Sequence, residues 1–165
     1  MSAVAEWYVL PASRIPELTS LCQPAKGSIF RAPTRDYNAF WEYLRTHATH
    51  GDGLDASGWI MNPLLELLRE RLDVPVDEAE GHPLAKTIAI DTFLIVEPNL
   101  ADRWLTGLAR AIDDRHGLKT YLLDWYDADA APTAEELELH VRGLRYLQDG
   151  IAKLTPESVL LLSIG

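Results

Sequence analysis

The chain has 165 residues, 47% hydrophobic and 24% charged; this is the balance of one folded globular domain, and it excludes disorder of the whole chain. Its single cysteine, Cys22, excludes an intramolecular disulfide and a zinc centre built on paired thiolates. With 25 acidic residues against 15 basic ones the formal net charge is −10, a field that repels nucleic-acid phosphates and anionic lipid and attracts a basic protein.

The same charge also serves simply to keep a protein soluble. The opening Met-Ser-Ala-Val-Ala-Glu-Trp lacks the basic and apolar regions of a signal peptide. The strongest apolar runs, over 93–96 and 159–162, are too short to span a bilayer. A cytoplasmic protein is expected, with neither membrane nor nucleic acid as a partner.

The first strand is expected over 4–10, with Trp7 and Val9 on one face, Glu6 and Tyr8 on the other, and Pro11 ending it. Ser13 suits the cap of a short helix that turns Ile15, Leu18 and Cys22 inward, with Pro16 tolerated in its first turn. Residues 23–33 read as loop. Thr34 is the expected N-cap of a helix to about Ala48, whose Tyr37, Phe40, Trp41 and Leu44 share a face. A polar loop over 49–57 follows.

Asn62-Pro63 opens the next helix, with proline at its first position. Leu64, Leu65, Leu67, Leu68 and Leu72 give this helix a core face, and Pro75 stops it. Residues 77–83 are acidic and read as an irregular surface loop. The β-branched run over 87–97 suits a strand buried on both faces. Asn99, with Asp102 three residues on, caps a helix striped by Leu100, Trp104, Leu108, Ala111 and Ile112, and Gly117 stands where a left-handed terminal residue is wanted.

The alternation of Tyr121, Leu123 and Trp125 predicts a third strand over 119–126. Thr133 and Glu136 have capping-box spacing, and the long helix behind them presents Leu137, Val141, Leu144, Leu147, Ile151 and Leu154. Thr155-Pro156 breaks it before a last strand over 159–164. The pattern predicts a single α+β domain over 1–165, with about four strands and about five helices covering at least one face of a mixed sheet.

Arg14-Ile15-Pro16-Glu17-Leu18 after the opening strand, Phe40-Trp41-Glu42-Tyr43-Leu44 within, and the helix over 144–154 feeding Ser158-Val159-Leu160-Leu161-Leu162-Ser163-Ile164-Gly165 form a pattern. It resembles the YfbM-like family of small bacterial proteins of unknown function. Residues 73–117 have no counterpart in that pattern. The resemblance implies a single α+β domain of bacterial origin; it implies no particular activity and gives no catalytic residue to carry over.

The phosphate-binding Gly-x-x-x-x-Gly-Lys, Gly-x-Gly-x-x-Gly, His-Glu-x-x-His and Gly-x-Ser-x-Gly patterns do not occur. His47, His50, Asp52 and Asp55, beside Gly51 and Gly53, carry the imidazole and carboxylate groups that zinc, manganese or iron accepts. The plainer reading is a histidine at a helix end followed by a turn. Asp124, Asp127 and Asp129, beside Trp125 and Tyr126, leave the expected third strand at its end, a usual place for acid or metal chemistry and equally a solvated loop.

Asp91 inside an apolar strand requires a partner, a raised pKa or a pleat that faces solvent. Cys22 is placed on an apolar helix face, where an inert buried thiol is the default over a nucleophile. Trp59 follows Gly58, placed to line a pocket with Trp125 or to be buried under the loop.

These residues support a non-catalytic interaction protein, antitoxin-like or immunity-type. Its carboxylates over 77–80 and 124–129 would steer a basic partner, with Trp59, Asp124, Trp125, Asp127 and Asp129 as binding residues and no cofactor. The second expectation is a small metal-assisted hydrolase that uses His47, His50 and Asp52 with a strand-end aspartate.

Overall fold

The computed structural model describes residues 5–23, 37–54, 60–88, 92–127 and 132–165. Strand β1 (Ala5–Pro11) runs antiparallel to β4 (Ser158–Ile164) over its whole length, from Ala5 opposite Ile164 to Pro11 opposite Ser158. The two ends of the chain therefore make the centre of the sheet. Strand β3 (Thr92–Val96) flanks β4, and the two-residue β2 (Thr49–His50) flanks β1, giving the order β2-β1-β4-β3. Every pairing is antiparallel, where a mixed sheet was expected.

Alternation along the strands divides the core in two. Trp7, Val9, Leu94, Val96, Leu160 and Leu162 face one side of the sheet. There they meet α3 (Met61–Leu72), α4 (Val76–Glu80), α6 (Ala101–Asp113), α7 (Arg115–Trp125) and α8 (Ala134–Ile151). Tyr8, Leu10, Phe93, Ile95, Val159 and Leu161 face the other side, against α1 (Ile15–Cys22), α2 (Tyr37–His47) and α5 (Pro83–Thr87). The molecule is an α+β domain of three layers, and all seven residues of β4 are buried between the outer two. No helix among the described residues is long and apolar enough to cross a membrane.

Several elements differ from their sequence reading. The third strand expected over 119–126 is α7. Leu118, Tyr121 and Leu122, at helical spacing, are the buried residues, while Trp125 at the end of the alternating set is exposed. Gly117 does not end a helix. It lies in the first turn of α7, where its N–H donates to Asp114 Oδ1 at 2.9 Å, so Asp114 both closes α6 and caps α7. The strand that makes up the sheet comes instead from the expected loop over 49–57: His50 pairs with Tyr8, and Leu54 bridges Ala5.

The acidic stretch over 77–83 is not irregular. Val76 and Ala79 are fully buried in α4, and α5 follows directly, which raises the helices among the described residues to eight. Thr87 closes α5, so β3 is shorter than the strand expected over 87–97, and Asp91 lies outside the described residues. Ser13 and Asn99 do not cap: the residues before α1 and α6 are Arg14 and Leu100, and neither makes a side-chain cap bond. Pro63 is the third residue of α3, still within the first turn, where its missing N–H costs nothing. Thr34 lies outside the described residues.

Candidate functional site

The acidic residues of α4 are held by arginines from neighbouring helices. Arg69 on α3 contacts Glu66 and reaches Asp77 at 2.6 Å and Glu80 at 2.7 Å. Arg103 on α6 reaches Glu78 at 3.2 Å, and it donates to the carbonyl of Asp73 at 3.1 Å. Surface pairs of this kind add little stability. They do neutralise the stretch over 77–80 that was expected to steer a partner.

The end of α7 is different. Trp125 is 43% exposed and stacks on Tyr121, ring centroids 6.2 Å apart at 26°. Asp124 and Asp127 on either side of it are exposed, and neither forms an ion pair with a described residue. Asp127 adopts a left-handed backbone, φ 45°, a conformation aspartate tolerates better than most residues. The Tyr121 hydroxyl reaches Glu70 at 3.5 Å, and burial, with the charges of Glu70 and Glu66, pushes its pKa up to about 12.

Tyr126 and His140 anchor this end of α7. His140 is buried in α8, and its Nδ1 lies 2.7 Å from the Glu136 carbonyl, which makes that nitrogen the donor. Nε2 is then left to accept from the Tyr126 hydroxyl at 3.2 Å. Sequence reading missed His140; its position on the apolar stripe of α8, one residue before Val141, was the available signal.

Beside Trp125, a cleft of about 510 Å3 opens where the C-terminal ends of α3 and α6 meet α7. Leu67, Leu72, Ala111 and Leu118 supply apolar lining, and Arg71, Arg110, His116 and Asp124 supply polar groups. None of the three basic residues was singled out by motif or spacing, because the cleft joins α3 to two helices distant from it in the chain.

Of the residues expected to bind, Asp124, Trp125 and Asp127 are together, at a helix end instead of a strand end. Trp59 and Asp129 lie outside the described residues. Of the expected metal ligands, His47 packs its ring on Tyr43 at 4.4 Å, and His50 packs on Tyr8 at 5.9 Å. Asp52 is exposed, and Asp55 lies outside the described residues. Among the described residues no three histidine, cysteine, aspartate or glutamate side chains are grouped as a metal site. Cys22 is buried in the layer formed by α1, α2 and α5. No known family model, no curated protein and no solved structure matches this chain.

Proposed function

We propose that the chain is a non-catalytic protein-interaction module of the immunity type, and that it holds a basic partner at the end of α7. The observation that carries this reading is Trp125, exposed between two carboxylates that pair with no described residue. A tryptophan face attracts a guanidinium or ammonium group. Tryptophan and arginine are also the residue types that most often dominate interface energies. Asp124 and Asp127 add the local negative field that speeds encounter with a cation, and the net charge of −10 extends it. Fixed by its stacking on Tyr121 and by the Tyr126–His140 bond behind it, Trp125 is ordered before a partner arrives, which lowers the cost of binding. The resemblance of the chain's two ends to the YfbM-like family brings no activity that competes with this reading.

The test is a calorimetric titration with an arginine-rich peptide over a range of salt concentrations. Binding is expected at low ionic strength and should weaken as salt screens the charges. Trp125→Ala should weaken it by about tenfold or more, the loss of a hot-spot residue. Replacing Asp124 and Asp127 together by asparagine should flatten the salt dependence. Binding that ignores all three substitutions, or its absence at low salt, would remove the proposal.

A further inference from the structure

The cleft beside α7 shares Asp124 with the contact face at Trp125, but its chemistry differs. Besides His116 of α7, two arginines line it: Arg71 from the last turn of α3 and Arg110 from the last turn of α6. Neither forms an ion pair with a described carboxylate, unlike Arg69 and Arg103 on the same two helices. Two carboxylates, Asp114 and Asp124, also line it. Asp114 is engaged by the N–H of Gly117 at the positive end of α7, while Asp124 lies near the other end of that helix. Leu67, Leu72, Ala111 and Leu118 complete the lining.

We propose that this cleft binds a small amphipathic monocarboxylate. The carboxylate would lie against Arg71 and Arg110, and its hydrocarbon or aromatic body along Leu67, Leu72, Ala111 and Leu118. The volume, about 510 Å3, is that of a small-molecule site. A guanidinium presents two parallel N–H groups that match the two oxygens of a carboxylate, so the two arginines of the lining suit an anion with that geometry. The apolar lining supplies the area that a bare inorganic anion cannot use. The net negative charge of the protein does not forbid an anion here, because at physiological salt distant charges are screened within about 8 Å and the two nearest arginines dominate. Asp114 and Asp124 in the same lining disfavour a second anionic group on the ligand, which is why the class is a monoanion.

The experiment is calorimetric titration of the full chain with decanoate below its micellar concentration, beside 1-decanol and decanedioate. Decanoate is expected to bind at one site, at least about tenfold tighter than either comparison ligand. Arg71→Gln and Arg110→Gln should each weaken decanoate by about tenfold, while Arg142→Gln on the exposed face of α8 should leave it unchanged. Both cleft arginines are exposed, and circular dichroism of each variant confirms that it is folded. Trp125→Ala should not alter decanoate affinity, since Trp125 does not line the cleft; the proposal thus stands or falls apart from the peptide-binding reading. Equal binding of decanoate and decanol, or wild-type affinity in the Arg71→Gln/Arg110→Gln double variant, would overturn it.

Discussion

Trp7 is held between two residues that have no side chain. A Cβ added at Gly150 on α8 would lie 2.8 Å from Trp7 Cγ, and one at Gly51 would lie 2.6 Å from Trp7 Cε2. The indole has little freedom to retreat, because its neighbour Tyr146 accepts the backbone N–H of Trp7 at 3.2 Å and packs its ring 6.1 Å away. Two effects of Gly150→Ala oppose one another. Alanine favours a helix interior by roughly 1 kcal/mol, and forcing a methyl into a packed core costs roughly 1–3 kcal/mol. With a rigid ring as the obstacle, the steric cost should win, and Gly150→Ala should destabilise by about 1 kcal/mol or more, read as a lower denaturant midpoint at constant slope. Gly143 offers a contrast. There the new Cβ would meet the flexible end of Leu64, Cδ1 at 2.8 Å, so Gly143→Ala should cost less. A Gly150→Ala protein as stable as the native one would show that Trp7 moves. The need for these small residues was not legible in the sequence, since each glycine meets Trp7 only after the sheet has formed.

Helix α8 owes its start to local chemistry. Thr133 Oγ1 accepts the N–H of Glu136 at 3.2 Å, and the Glu136 carboxylate accepts the N–H of Thr133 at 2.7 Å and its hydroxyl at 2.9 Å. Removing the hydroxyl in Thr133→Ala should cost about 1 kcal/mol, the usual worth of a side-chain cap, measured as a shift in chemical denaturation. The two bonds from Thr133 hold the Glu136 carboxyl below its usual range. A depressed folded-state value means that this contribution is present above the unfolded pKa and is lost as pH falls through the folded one. The same substitution should therefore reduce the loss of stability below pH 4.5, the ordinary glutamate value; an acid limb identical to the native protein's would argue against the carboxylate's part in the cap. This capping box was fully legible in four consecutive residues. Helix α7 was not, because Tyr121, Leu123 and Trp125 alternate like a strand while Leu118, Tyr121 and Leu122 repeat like a helix. Packing against α3 and α6 decided between the two periods.

At the scale of the whole molecule, tyrosines buried in both layers tie stability to alkaline pH. Burial pushes Tyr146 and Tyr121 up to about 12, and Tyr8, buried and bonded to Glu6, is raised further. Burial also raises Tyr43 and Tyr126. Each folded-state value lies above the unfolded value of 10.0, so the folded state holds more protons at high pH. Their contribution is complete below pH 10.0 and is lost as pH rises through the folded values. The denaturant midpoint should fall steeply above pH 10, and Tyr121→Phe should make that fall shallower. A midpoint flat to pH 12 would contradict the burial of these hydroxyls. The arrangement that buries them, helices on both faces of a four-stranded sheet, puts most aromatic side chains of the described residues between layers.

What the sequence determined by itself was whatever a short window carries. The apolar runs of β1 and β4, the stripes of α6 and α8, and the Thr133–Glu136 box all depend on neighbours within one or two turns. Tertiary structure decided the rest. The two residues of β2 have no pattern of their own and become a strand because β1 offers them an open edge. Helix α4 forms where an irregular loop was expected because Val76 and Ala79 are buried in the core, with Arg69 and Arg103 coming from other helices to meet its acids. Of the proposed contact face, Asp124, Trp125 and Asp127 were legible as neighbours in the chain. The cleft beside them was not, because Arg71 joins Arg110 and His116 only when α3 packs against α6 and α7, and no local period records a contact made at that distance.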